Sequence, residues 1–117
     1  MYGTLTLPSH LTEAEAVALN DFVSAVRTSL GSLLQSIILF GSRARGQGHQ
    51  ESDLDIAIIV AAGGRLQRRL VQDLAFDIHL RTGIDIAPLV IEEPYLNEMR
   101  LRERSLAYAL DHEGILL

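Results

Sequence analysis

The chain has 117 residues, of which 48% are hydrophobic and 21% charged, a composition that fits one compact domain with a modest core and argues against disorder or a second substrate-binding domain. Ten arginines, no lysine and fifteen acidic residues give a formal charge of -5, so stable binding to a nucleic-acid backbone is not expected. Cysteine is absent, which removes disulfide and thiolate chemistry, and no uncharged run is long enough to span a bilayer, so the expected location is the cytoplasm.

Residues 1–11 read as a short leader, with the folded domain expected over residues 12–117. Thr12 and Glu15 have the spacing of a capping box, which predicts a helix over residues 12–30. Leu19, Phe22, Val23, Val26 and Leu30 make one apolar stripe on it, suited to packing against a sheet. A β-prone run, "QSIILF" at 35–40, ends at Gly41 and Ser42, after which comes the small and basic "RARG".

A second strand is expected over 53–60, "DLDIAIIV". Its period of two places Asp53 and Asp55 on one face with Ala57 and Ile59, and Leu54, Ile56, Ile58 and Val60 on the other. Gly63 and Gly64 then precede a helix whose expected buried stripe is Leu66, Leu70, Leu74 and Ile78, with Gly83 as its stop. A third strand is predicted over 84–90, "IDIAPLV", where Pro88 points to an edge position and Asp85 would be costly to bury unpaired. One further helix is expected from Pro94, broken at Gly114 and followed by an extended "ILL". Strand and helix alternate without repeats, which argues for an α/β fold: a small mixed β-sheet flanked by helices.

Two aspartates separated by one strand residue present their oxygens from the same face, and a third carboxylate on a neighbouring strand completes a site for a hard cation. Asp53, Asp55 and Asp85 meet that requirement. Magnesium suits such ligands, and two ions bridging a nucleotide phosphate would neutralise charge and stabilise departing pyrophosphate. At the Gly41-Ser42 turn, glycine permits close approach, while the serine hydroxyl and nearby amides can hydrogen-bond to phosphate. The turn lacks the lysine of a Walker-type loop and is not a dinucleotide fingerprint.

Gly41-Ser42, ten intervening residues and then Asp53-Leu54-Asp55 resemble the signature of the nucleotidyltransferase superfamily related to DNA polymerase beta. Within it, "GSRARG", "SDLDI" and "IDIAPLV" are most similar to the minimal nucleotidyltransferase (MNT) subgroup, in which the catalytic domain stands nearly alone. The resemblance implies a nucleotidyltransferase fold, phosphate contact by Gly41 and Ser42, metal binding by Asp53 and Asp55, and a role for Asp85 in completing the metal site and aligning or activating an acceptor hydroxyl. It implies transfer of a nucleoside monophosphate from a nucleoside triphosphate with pyrophosphate as leaving group, and ATP, giving AMP, is the preferred donor. MNT antitoxins modify a tyrosine of a helical HEPN toxin, so the resemblance also implies a toxin–antitoxin partnership of that kind.

Two alternatives stay open: transfer to a small hydroxylated molecule such as an aminoglycoside, for which a homodimer could supply missing surface, and a non-catalytic nucleotide-binding antitoxin module. Arg43 and Arg45 read mainly as surface ion-pairing residues with a secondary claim on the triphosphate. Gly46, Gly48 and Ser52 read as turn formers with structural or indirect site roles, and His49 as a solvated loop residue. His10, His79 and His112 have no mutual metal-ligand spacing. Asp73 and Asp77 with Arg69 and Arg81, and the "MRLRER" run, read as charged faces of amphipathic helices.

Overall fold

A computed structural model describes residues 10–46 and 53–117, so Gly48, His49, Ser52 and most of the expected leader lie outside the described residues. The first helix, α1 (Glu13–Leu30), starts where the capping box places it. Thr12 Oγ1 accepts the Glu15 amide at 3.1 Å, and Glu15 Oε1 accepts the Thr12 amide at 2.9 Å, satisfying two amides that a helix start leaves open. Leu19, Phe22 and Val26 are fully buried, as the stripe required, and each contributes about 1.5–3 kcal/mol by leaving water.

Strands β1 (Leu34–Phe40) and β2 (Leu54–Val60) pair antiparallel, from Leu34 opposite Val60 to Phe40 opposite Asp55. Helix α2 (Arg65–Thr82) then crosses to β3 (Ile86–Glu92), which lies parallel to β2 with Leu54 opposite Ile86. A short β4 (Ile115–Leu116) adds antiparallel to β1, giving the order β3-β2-β1-β4. This is the expected small mixed sheet, and Pro88 lies on its edge strand, where a missing amide is tolerated.

The alternation in β2 divides the core. Leu54, Ile56, Ile58 and Val60 pack with α1 and α2 on one face, while Ala57 and Ile59 face a second cluster containing Leu96, Met99, Ala107 and Leu110. Asp53 and Asp55 therefore head the strand face on this second side, as their parity predicts.

Three expectations need correction. The buried stripe of α2 is Val71, Ala75 and Ile78, flanked by partly buried Leu70 and Leu74, whereas Leu66 is 75% exposed. Each four-residue step overshoots a helical turn by about 40°, so a row begun at Ile78 has rotated off the core by Leu66. The third strand starts at Ile86 rather than Ile84, because the helix cap continues through these residues. Gly83, at φ +77, donates its amide to His79 O at 2.8 Å, and Thr82 Oγ1 accepts the Ile84 amide at 3.1 Å.

The tail is two helices rather than one, α3 (Glu93–Leu101) and α4 (Ser105–Tyr108), followed by a five-residue π-turn over Ala109–Glu113. The Arg104 amide bonds Met99 O at 3.0 Å and the Glu103 amide bonds Arg100 O at 3.1 Å, the two bonds of a Schellman motif. Its left-handed position is Glu103, at φ 54, so no glycine or asparagine advertised the stop. The break turns Ala107 and Leu110 onto the sheet and leaves Leu101 exposed. Among the described residues, no helix is long and apolar enough to cross a membrane.

Candidate active site

Gly41 follows the last residue of β1 and adopts φ +76, a conformation that side chains with a Cβ rarely take. The side chain of Asp55, opposite Phe40 in the register, lies directly against it. A Cβ on Gly41 would stand 3.2 Å from Asp55 Cγ and overlap Oδ2, so the glycine clears the place this carboxylate occupies. Gly41 O accepts the amides of Ala44 at 3.2 Å and Arg45 at 3.3 Å, closing a compact turn with Ser42 at half-buried depth on its rim. The Gly-Ser turn and Asp55 are thus brought together by one antiparallel register.

Asp53 is exposed immediately before β2, and Asp55 is half-buried two residues on. Burial pushes the Asp55 carboxyl above its ordinary pKa, and the neighbouring Asp53 charge pushes it further. A divalent cation beside both groups would relieve that repulsion, and the missing side chain at Gly41 leaves room for the Asp55 carboxylate, so the pair fits magnesium chemistry. Among the described residues no cluster of three histidine or acidic side chains gathers at metal-binding range. Magnesium commonly uses one or two carboxylates and completes its shell with water and substrate phosphate, so two aspartates remain a suitable donor set.

Asp85 stands apart from the pair. Its carbonyl accepts the Leu54 amide at 3.0 Å, which places its backbone beside Asp53 at the start of the parallel register. Its carboxylate turns to α2, with Oδ1 2.6 Å from His79 Nδ1 and both side chains about half exposed. His79 in turn stacks on Phe76, and these residues line a shallow groove with Gln72 and Ile86.

Arg43 departs from its expected surface role. It is only 2% exposed, and its Nη2 lies 2.7 Å from both carboxylate oxygens of Glu15, itself 4% exposed. His10 Nε2 also contacts the Arg43 carbonyl. Arg45 does form a surface pair, with Glu113 at 3.2 Å. The other charged faces behave as read: Arg81 bonds Asp77 at 3.0 Å, and Arg100 holds both oxygens of Asp111 at 2.8 Å.

The buried Glu15–Arg43 pair had one signal in the sequence. Glu15 precedes Ala18, Leu19 and Phe22 at helical spacing, so it occupies the apolar stripe, where a carboxylate requires a buried cation. Nothing in the sequence says which arginine answers it.

A family model described as polymerase beta nucleotidyltransferase matches residues 32–113, which include the Gly-Ser turn and all three aspartates. The chain belongs to this family. The nucleotidyltransferase is 36% identical over 84 residues to MJ0604 of Methanocaldococcus jannaschii, an inferred protein adenylyltransferase, covering 72% of this chain and 80% of that protein. A solved chain from a mutant of the toxin–antitoxin MntA-HpeT superposes with TM-score 0.56 at 28% identity, covering 85% of this chain and 70% of that one. A solved structure described as an inferred minimal nucleotidyltransferase superposes with TM-score 0.52 at 25% identity, covering 94% of this chain and all of that one. The expected fold and enzyme class are therefore established, and the chain is related to the nucleotidyltransferases of toxin–antitoxin systems.

Replacing Gly41 with alanine tests the cradle. The variant is expected to lose about 1–2 kcal/mol of stability through its left-handed backbone. Displacement of Asp55 is expected to lower nucleotidyl transfer about 10²-fold, measured as pyrophosphate release.

Proposed function

We propose that this nucleotidyltransferase moves AMP from ATP to a hydroxyl on a protein acceptor, and that the acceptor is a helical HEPN-type toxin partner. The observation that carries the reading is the Asp55 carboxylate held against Gly41 of the Gly-Ser turn by the β1–β2 register, with Asp53 two residues before it on the same strand face. The inferred protein adenylyltransferase and the toxin–antitoxin structure among its relatives favour a protein over a small hydroxylated acceptor.

In this reading Ser42 and the turn amides hold the triphosphate, while Asp53 and Asp55 hold magnesium. When bound, the metal neutralises phosphate charge and stabilises the departing pyrophosphate. The acceptor oxygen attacks the α-phosphorus, the bond from that phosphorus to the bridging oxygen breaks, and pyrophosphate leaves. Asp85 would act in this reading once its carboxylate is released from His79, taking the hydroxyl proton or completing the metal shell.

Asp85→Asn is expected to lower kcat about 10²-fold, the scale of a lost proton acceptor, while leaving ATP affinity within about two-fold. Unchanged kcat would remove Asp85 from the reaction. The transfer itself is tested with α-labelled ATP, magnesium and candidate acceptors. Label on a protein, abolished by EDTA, supports the proposal; label confined to small hydroxylated molecules overturns the protein acceptor.

A further inference from the structure

The Gly41-Ser42 turn must hold its amides and hydroxyl in one arrangement to be useful to a triphosphate, and on its outer side Arg45 makes an exposed pair with Glu113 at 3.2 Å. Its fixed side is inward. Arg43, the residue after Ser42, turns its guanidinium into the protein and meets Glu15 on the first turn of α1 at 2.7 Å. Glu15 is itself immobilised, because its Oε1 also accepts the Thr12 amide at 2.9 Å and the Thr12 hydroxyl accepts the Glu15 amide at 3.1 Å. One residue beyond the guanidinium's own backbone, Ala44 is partly buried against the main core, and His10 contacts the Arg43 carbonyl.

The turn is thereby clamped between the start of α1 and the Asp55 carboxylate that rests on Gly41. Glu15 lies before residue 32, outside the segment that the nucleotidyltransferase family model matches, while Arg43 lies within it, so the acidic half of the clamp comes from a part of the chain the family signature does not cover.

We propose that Glu15 and Arg43 are positioning residues for the nucleotide: their buried ion pair fixes the Gly41–Gly46 turn so that it meets the triphosphate already formed. A pure stability role is a weaker explanation of the pair, since replacing a buried ion pair by apolar residues is often neutral or stabilising. The pair instead anchors the residue that directly follows the serine, with Arg43 Nη2 2.7 Å from both Glu15 carboxylate oxygens. This inference rests on the reading of Gly41-Ser42 as the phosphate site.

The test uses the full chain, with Glu15→Gln and the charge-retaining Arg43→Lys, each held well below its own thermal transition. Affinity for a non-hydrolysable ATP analogue with magnesium and the kcat and KM of transfer are measured beside amide exchange at residues 42–46. Both variants are expected to weaken nucleotide affinity and raise KM for ATP about 10- to 100-fold, with kcat at saturating ATP within about two-fold. Amide exchange in the turn should rise while that of β2 stays protected. Should folded variants keep wild-type affinity and wild-type turn exchange despite a lowered transition temperature, the pair is structural only and the proposal is overturned. Failure of the wild type to bind the analogue at all is a different result: it rejects the phosphate-site reading and this inference with it.

Discussion

Asp55→Asn is expected to lower nucleotidyl transfer by about 10³-fold or more while leaving the metal-free protein at least as stable as the wild type. The two effects have one origin. Burial and the Asp53 charge raise the Asp55 pKa in the folded state, so the ionised side chain stabilises the unfolded chain relative to the folded one. For an acid with a raised folded pKa, the folded state carries more protons in the interval between the two pKa values. Stability is therefore greatest below the unfolded pKa and falls as pH rises through the folded one.

Asparagine removes that cost, so the variant's advantage in EDTA should be present at neutral pH and vanish in acid. Magnesium with an ATP analogue should reverse the ranking by stabilising the wild type and leaving Asp55→Asn unmoved. Equal transfer by both proteins, or a metal-free variant much less stable at neutral pH, would contradict this account.

Arg43→Ala is expected to cost about 3–5 kcal/mol in unfolding free energy, the usual consequence of stranding one partner of a buried pair. Burial alone would raise the Glu15 carboxyl, but the Thr12 amide and then the Arg43 guanidinium overcome it and hold the pKa below the ordinary glutamate range. The contribution of a depressed acid is present above its unfolded pKa and lost as pH falls through the folded one. The gap between wild type and variant should accordingly be widest near neutrality and narrow in acid. Denaturant titrations across that range measure it, and a gap of less than about 1 kcal/mol at neutral pH would place the pair among ordinary surface ion pairs.

The strand face carrying Asp53 and Asp55 was legible because a period of two leaves no choice once Leu54, Ile56, Ile58 and Val60 claim the core. The start of α1 was legible through its capping box, and the edge position of β3 through Pro88. What stayed hidden depends on long-range geometry. Leu66 is apolar and correctly spaced from Leu70, but four-residue steps rotate it into solvent. The α3 stop uses Glu103 where glycine is usual, and the sequence offers no warning of it.

The site divides along the same line. Gly41, Ser42 and the first two aspartates lie within one hairpin, and their association follows from local register. Asp85 arrives on a separate strand start, and its contact with His79 depends on how the α2 cap ends. The link from Glu15 to Arg43 spans 28 residues and joins two elements whose separate readings were complete without it.

The most direct measurement is intact mass spectrometry of a purified helical toxin partner after incubation with this nucleotidyltransferase, ATP and magnesium. Mass increments of whole AMP units are expected on the partner, matched by released pyrophosphate, absent with EDTA and absent with Asp53→Asn or Asp55→Asn. An unmodified partner beside folded, ATP-competent wild-type protein, or AMP addition that persists when both aspartates are replaced, would contradict it.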